Sequence, residues 1–346
     1  MKTLGVGIVG TGWVSGEHIK AFERNPHTQV RGILSREQER ARAKAQEYGL
    51  SHARPHTELR TLLDDPEIDI VSICTPHHLH APQGIECARA GKHILMEKPI
   101  ALDLESLQAL DEAVREAGVR TVVSFVLRWN PLFDLIKTAL ADGLIGNVYY
   151  AEVDYMHGIG PWYKQYEWNI KKEIGGSSLL TAGCHAVDGL RWFLQREAVE
   201  VCAYANVSPL NPLRYEYEPN SVTIIKFADG TIGKVASLVE CVMPYVFNIE
   251  IFGDQGTIRN NQFFSRRWPG QTSWATIPTI LPDSGDVAHH PFQGEIDHLV
   301  DCILNGTESH CSIADAVKTH EICLATEIAA QEGRPVKLPL RPAAAT

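Results

Sequence analysis

The sequence has no Cys-x-x-Cys pair, although it carries eight cysteines, at 74, 87, 184, 202, 241, 302, 311 and 323. Most of them stand in apolar surroundings, which points to reduced, buried thiols rather than a disulfide scaffold or a zinc site. No apolar stretch is long enough to cross a bilayer, and Met1-Lys2-Thr3 leads into a strand-like run rather than a signal-peptide core. A cytoplasmic protein with no membrane partner is therefore expected. Basic runs are absent beyond short pairs such as Lys171-Lys172, and the formal net charge is −10. Nucleic acid is not an expected partner, because phosphate binding draws on clustered Lys and Arg. What remains, with 44% hydrophobic and 21% charged residues over 346 positions, is an ordinary globular chain. Its length suggests about two domains.

What is present begins at the first residues. An apolar run, Leu4 to Val9, ends in Gly10-Thr11-Gly12, and a helical pattern containing Ile19, Ala21 and Phe22 follows at once. Strand, glycine turn and helix in that order set backbone N–H groups and the positive helix end against a pyrophosphate. Gly10, Gly12, Trp13 and Val14 are the candidate residues there, while the third glycine position of the pattern holds Ser15. A second strand, Gln29 to Leu34, runs into Ser35-Arg36. An NAD-preferring site usually carries Asp or Glu at this point, whereas a hydroxyl beside an arginine holds a 2′-phosphate. NADP is favoured over NAD on that ground. The alternative is that Arg36 stacks on the adenine or opens the next helix.

Ile68 to Cys74 reads as a buried parallel strand, and it ends in Thr75-Pro76-His77-His78-Leu79-His80. No carboxylate or cysteine stands at ligand spacing to these histidines, so no metal is expected. The carboxyl end of such a strand faces the cofactor, which makes Thr75, Pro76, His77 and His80 cofactor-lining candidates. Helix capping is the alternative for His77 and His80. A strand at Lys92 to Met96, Glu97-Lys98-Pro99, a helix at Leu104 to Ala117 and a strand at Arg120 to Phe125 complete a repeated β-α pattern. The expected fold class is α/β: residues 1–126 form an N-terminal Rossmann domain with a doubly wound parallel sheet.

Residues 127–346 have a different texture. After a helix at Pro131 to Ala141, strand patterns recur at 147–156, 199–207, 221–227, 232–239 and 246–252. In the last, Phe247, Ile249 and Ile251 fall on one face and Asn248 and Glu250 on the other. Asp229-Gly230 joins two runs as a hairpin turn does. The expected second domain is α+β, with a large, mostly antiparallel open sheet that binds substrate and mediates self-association into a homodimer or homotetramer. Helices at 294–305 and 313–331 follow, and residues 343–346 are expected as a loose tail. Between the long strand and His185 lies a glycine-punctuated aromatic loop, from Tyr155 to Lys172. Its Trp162, Tyr163, Trp168 and Lys172 are candidate substrate contacts, since aromatic faces suit sugar rings; alternatively its rings anchor the loop.

The opening glycines with His18, Thr75-Pro76 with His80, Glu97-Lys98-Pro99, and Gly175-Gly176 preceding His185 and Asp188 together resemble the Gfo/Idh/MocA family over nearly the whole chain. The resemblance implies an NAD(P)-dependent enzyme acting on a sugar-like small molecule. It also implies that Lys98 lies beside nicotinamide and substrate, that Glu97 lines the cofactor site, and that a cis bond precedes Pro99. His185 corresponds to the histidine of a motif usually written D-x-x-x-H, whose aspartate position here is Thr181. At i,i+4 on a helix starting near Ser178, Thr181 and His185 share a face, and Thr181 and Asp188 are candidate substrate contacts. Threonine cannot act as a carboxylate base, so acid–base work falls on Lys98 and His185, either being the proton acceptor. The expected reaction moves hydride between nicotinamide and a secondary alcohol or carbonyl of a sugar, glycoside or cyclitol. Thr181 keeps open a redox-neutral alternative with retained nicotinamide: epimerisation, elimination or glycoside cleavage through a transient keto-sugar.

Overall fold

The protein is described by a computed structural model covering residues 3–341; the expected tail, 343–346, lies outside the described residues. The chain separates into two compact units. The first opens with β1 (Leu4–Val9), α1 (Trp13–Arg24), β2 (Thr28–Leu34), α2 (Gln38–Glu47), β3 (Arg54–His56) and α3 (Leu59–Leu63). It continues through β4 (Ile70–Ile73), α4 (His80–Arg89), β5 (His93–Met96), α5 (Leu104–Ala117) and β6 (Thr121–Val123). Its six strands run in the order β3-β2-β1-β4-β5-β6, and every pairing is parallel. Every residue of β1 and β4 is buried, which is why these strands read as unbroken apolar runs. The strand order reverses between β1 and β4, so the crevice of this unit opens at their carboxyl ends.

The first unit also contains a returning segment, Pro291–Val317, and the second comprises Leu127–His290 and the chain from Lys318. The expected division placed all of 127–346 in one domain, whereas residues 291–317 group here with the first unit. Main-chain and side-chain hydrogen bonds from β6 and from the end of α1 create the attachment. Val123 donates its N–H to Cys311 O at 2.8 Å, Ile313 donates to Thr121 Oγ1 at 3.0 Å, and Asn25 donates to Asp297 Oδ1 at 2.7 Å. These pairings join residues far apart in sequence, so no local pattern reveals them.

In the second unit α6 (Pro131–Ala141) leads to β7 (Val148–Met156), two short helices α7 (Tyr166–Asn169) and α8 (Lys172–Gly175), and α9 (Cys184–Leu194). There follow β8 (Ala198–Asn206), β9 (Asn220–Phe227), β10 (Ile232–Leu238), β11 (Val246–Gly253), β12 (Gly256–Arg259), β13 (Gln262–Ser265) and β14 (Ala275–Thr276). Past α10 (Phe292–Asn305) and α11 (Ile313–Glu332), β15 (Val336–Lys337) closes the strand series. The nine strands run β14-β13-β12-β11-β7-β10-β9-β8-β15. Only β7 with β10 is parallel; the other pairings are antiparallel.

Burial alternates as the sequence requires: Phe247, Ile249 and Ile251 are buried, while Asn248 and Glu250 are half-buried. On the covered face the Phe133 ring lies 4.7 Å from Phe193 and 5.9 Å from Phe247, centroid to centroid, which seats α6 and α9 on the sheet. The opposite face leaves Val222, Ile224 and Ile232 more than two-fifths exposed, at 42%, 44% and 46%. Strands β12 to β15 carry two to four residues each, too few for a readable alternation. Among the described residues no helix is long and apolar enough to cross a membrane.

Candidate active site

In the first unit the turn between β1 and α1 has the features of an anion cradle. Gly10 has φ +106°, and a Cβ there would lie 2.6 Å from the carbonyl oxygen of Cys74, so no side chain fits between the ends of β1 and β4. Helix α5 begins with Asp103 accepting from the Ser106 N–H at 2.8 Å, but α1 begins at Gly12 with no side-chain cap. Its first turn thus has no side-chain acceptor of its own, which is compatible with a pyrophosphate there. Ser15, at the position of the third glycine, is fully buried and donates its hydroxyl to Gly12 O at 2.7 Å. Close packing is provided one residue later: a Cβ on Gly16 would meet the Tyr48 hydroxyl at 2.1 Å. Trp13 is exposed and Val14 half-buried at this helix end. At the end of β2, Ser35 is buried with its Oγ 3.5 Å from Thr11 Oγ1, whereas Arg36 is exposed. These residues suit a dinucleotide.

The carboxyl ends of β4 and β5 are tied together by His80. Its Nε2 lies 2.7 Å from Thr75 O and its Nδ1 2.7 Å from Pro99 O. Burial lowers the ring's pKa against the pull of these carbonyls, so the neutral ring has one N–H to donate between them. Thr75 donates its hydroxyl to Gln83 at 2.7 Å. Thr75, Pro76 and His77 stand at the edge expected for them, while the wholly buried His80 braces the loops rather than lining them. The Lys98–Pro99 bond is cis, as the resemblance implies.

Behind Glu97-Lys98-Pro99 is a buried cluster. His18 Nδ1 lies 2.8 Å from Ser72 Oγ, and its Nε2 lies 3.3 Å from Glu97 Oε1 and 3.6 Å from Glu295 Oε1. Ser124 donates its hydroxyl to Glu295 Oε1 at 3.1 Å. Burial alone would lower the His18 pKa, but Cys74 and Glu97 together push it well above the usual histidine value. Burial likewise opposes ionisation of Glu97, yet the close approach and charge of His18, with the charge of Lys98, hold it below the usual carboxylate value. Glu295 was not among the sequence-derived candidates. The readable signal was a carboxylate on the apolar stripe Phe292, Ile296, Leu299 of α10.

In the second unit Thr181 falls in a π-helical turn, Leu179–Gly183, and His185 in α9, which corrects the expectation of one regular helix carrying both. Such turns recur at functional sites. Thr181 is buried and accepts a hydrogen bond from Asn169 Nδ2 at 2.5 Å. The ring of His185 stacks on Tyr155 at 6.5 Å and 21°. Tyr155 Oη lies 3.2 Å from His157 Nδ1, and His157 stacks on Tyr245 at 4.5 Å. Trp162 joins this aromatic group, 5.5 Å from the His157 ring, and remains 59% exposed. Tyr155, His157, Asn169 and Tyr245 extend the candidate set, and Tyr245, just before β11, lies where sequence spacing could not connect it to the loop.

Asp188 departs from its expected part. Arg128 donates to its two carboxylate oxygens at 2.7 and 2.5 Å, Thr319 adds a hydroxyl at 3.2 Å, and both ion-pair side chains are 2% exposed. The carboxylate is thus held in a buried, hydrogen-bonded ion pair. Lys172 pairs with Glu327 at the surface, Tyr163 donates its hydroxyl to Gln165 at 2.5 Å, and Trp168 is half-buried. Trp162 is the loop candidate that reaches the aromatic group around His157.

The fold and these residues define an oxidoreductase built on a dinucleotide-binding sheet. The chain belongs to the GFO/IDH/MocA family: residues 4–125 match its "Oxidoreductase family, NAD-binding Rossmann fold" and residues 133–259 its C-terminal domain. It is 27% identical over 309 residues to levoglucosan dehydrogenase of Pseudarthrobacter phenanthrenivorans, covering 80% of this chain and 77% of that one. It is 28% identical over 283 residues to scyllo-inositol 2-dehydrogenase (NAD(+)) of Bacillus subtilis, covering 81% and 80%. A solved levoglucosan dehydrogenase in complex with NADH superposes with a TM-score of 0.87 at 25% identity, covering 98% of this chain and 100% of that one.

Proposed function

We propose that this protein is a dehydrogenase or reductase acting on a secondary alcohol or carbonyl of a sugar, glycoside or cyclitol. The observation that carries the reading is the buried His18, 3.3 Å from the carboxylate of Glu97, the chain neighbour of Lys98. A bound nicotinamide supplies the hydride donor or acceptor. Gly10, Gly12, Trp13 and Val14 would hold its pyrophosphate, and Thr75, Pro76 and His77 would border the ring side. Lys98 and His185 are the groups assigned to hold and move the hydroxyl proton. The rings of Tyr155, His157, Trp162 and Tyr245 would cover a sugar's C–H face, with the Thr181–Asn169 pair fixing hydroxyl geometry.

Relatives named as dehydrogenases of levoglucosan and scyllo-inositol support the substrate class, and they favour net hydride exchange over a redox-neutral cycle. The nonacidic Ser35-Arg36 pair supports use of NADP as well as NAD, with NADP preferred. The half-exposed Val222, Ile224 and Ile232 support pairing of two sheet faces in a homodimer or homotetramer; a monomeric mass in light scattering at micromolar protein would refute that. Eight unbridged thiols support a cytoplasmic setting.

The test mixes purified protein with NAD or NADP and a panel of sugars, glycosides and inositols while reduced-cofactor absorbance is followed. Substrate-dependent change is the expected result. Silence across the panel with cofactor bound overturns the proposal, and product formation without net reduction moves it to the redox-neutral alternative.

A further inference from the structure

Resting on the reading of Lys98 as a proton-handling lysine, we propose that Glu295 is a positioning residue for the Glu97-Lys98 loop. Kept as a neutral carboxylic acid, it closes a buried His18–Glu97–Glu295 cluster that fixes the carboxylate adjoining Lys98.

The charge count carries the inference. Two carboxyl groups meet one imidazole, and the side chains of His18 and Glu295 are 0% exposed. The charge of Lys98 acts on Glu97 but not on Glu295, so with both carboxyls ionised the charge on Glu295 would share the one imidazole out of reach of water, which is more costly than keeping one proton. Glu97 is the better anion. It lies nearer His18, at 3.3 against 3.6 Å, keeps 12% of its side chain exposed, and is the chain neighbour of Lys98.

Glu295 faces His18 from α1, Glu97 from the loop after β5, and the Ser124 hydroxyl from the end of β6; Ser72 and Cys74 at the end of β4 reach it only through His18. Among the described residues its second oxygen, Oε2, has no hydrogen-bond partner, an arrangement costlier for an anion than for a neutral acid. In agreement, burial first and then the charge of Glu97 raise the Glu295 carboxyl to about 8, against the pull of His18. A neutral Glu295 leaves the His18 charge to Glu97 alone. An ionised one would compete for it and release the loop. Glu295 comes from the returning segment of the first unit, so that segment acts on the cofactor-side loop from behind.

An acid whose folded pKa lies above its unfolded value contributes full stability below the unfolded value, and that contribution falls as pH rises toward the folded one. For Glu295 the window runs from 4.5 to about 8. The test is thermal unfolding of cofactor-free wild type and Glu295→Gln across this window, with fluorescence titration of NADH or NADPH at about pH 7. The expected result is that the two melting temperatures are closest near pH 5, and that Glu295→Gln gains on wild type until about pH 8, where the gap levels. A gap independent of pH overturns the neutral acid.

In the titration Glu295→Gln binds within about twofold of wild type, while Glu295→Met, similar in volume but unable to hydrogen-bond, binds at least about fivefold more weakly. Wild-type binding by Glu295→Met, or an equal loss in Glu295→Gln, overturns the positioning role. Should Glu295→Met fail to fold, Glu295→Leu takes its place in the titration, and wild-type binding by that variant overturns the positioning role. Neither measurement needs turnover, so a failed sugar panel would refute the dehydrogenase reading without touching this one.

Discussion

Asn169 donates a hydrogen bond to Oγ1 of Thr181 at 2.5 Å, while its own main-chain carbonyl accepts from the Tyr217 hydroxyl at 2.9 Å. This buried corner occupies the place where the family's second motif is usually written with aspartate. Thr181→Val leaves the Asn169 amide without that acceptor, at an expected cost of about 1–3 kcal/mol. Thr181→Asp restores an acceptor and is expected to alter KM for sugar with little change in cofactor affinity. Chemical denaturation and steady-state kinetics check the pair, and a loss confined to cofactor binding would contradict the assignment.

The Arg128–Asp188 pair gives a sharper stability prediction. Removing one partner of a buried ion pair strands the other, so Asp188→Ala is expected to destabilise by about 3–5 kcal/mol. Urea denaturation of wild type, both single variants and the Arg128→Met/Asp188→Ala double variant measures it, with the double variant costing less than the sum of the singles. An unchanged midpoint with a raised KM for sugar would return Asp188 to the substrate.

Lys98→Met and His185→Asn are each expected to lower kcat by about 10²–10⁴ while preserving the melting temperature. The pH profile of kcat/KM then separates their roles: the variant that loses the acidic limb has lost the proton acceptor. Two variants with near wild-type kcat would remove both residues from the chemistry.

Arg36 is exposed at the end of β2, so its contact with a 2′-phosphate would be partly screened by solvent. Arg36→Asp is accordingly expected to shift the NADP-to-NAD preference by about tenfold, the lower end for a charge-assisted hydrogen bond. Ratios of kcat/KM for the two cofactors measure the shift, and an unchanged ratio assigns the guanidinium elsewhere.

Gly10→Ala places a Cβ 2.6 Å from Cys74 O at φ +106°, a conformation that non-glycine residues rarely adopt. The expected outcome is a loss of about 1–3 kcal/mol of stability together with weakened cofactor binding. Calorimetry and fluorescence titration read these separately. Full cofactor affinity in a folded variant would exclude the turn as the pyrophosphate cradle.

The parallel sheet was legible because strands buried on both faces must be apolar throughout, and Leu4–Val9 and Ile70–Ile73 are. The five long strands of the second sheet were legible through alternation, as Phe247 to Ile251 illustrates. Short motifs marked Gly10, Gly12, Lys98 and His185, because each depends on its immediate neighbours in the chain. The same locality limited what could be read from Asp188: its residue type suggested a substrate ligand, whereas its role depends on Arg128, 60 positions away.

Tertiary structure decided the remainder by bringing distant groups into burial together. Asp188 met Arg128 and Thr319 in burial, and a π-helical turn replaced the regular helix expected around Thr181. Segment 291–317 left the second unit for the first because α10 packs its apolar stripe there and pairs Asn25 with Asp297. The sequence by itself determined the fold class and the chemical groups at hand, since both follow from local periodicity and residue type. Which carboxyl accompanies His18, and with what charge, depends on removal from water, and only the folded chain imposes that on Glu97 and Glu295.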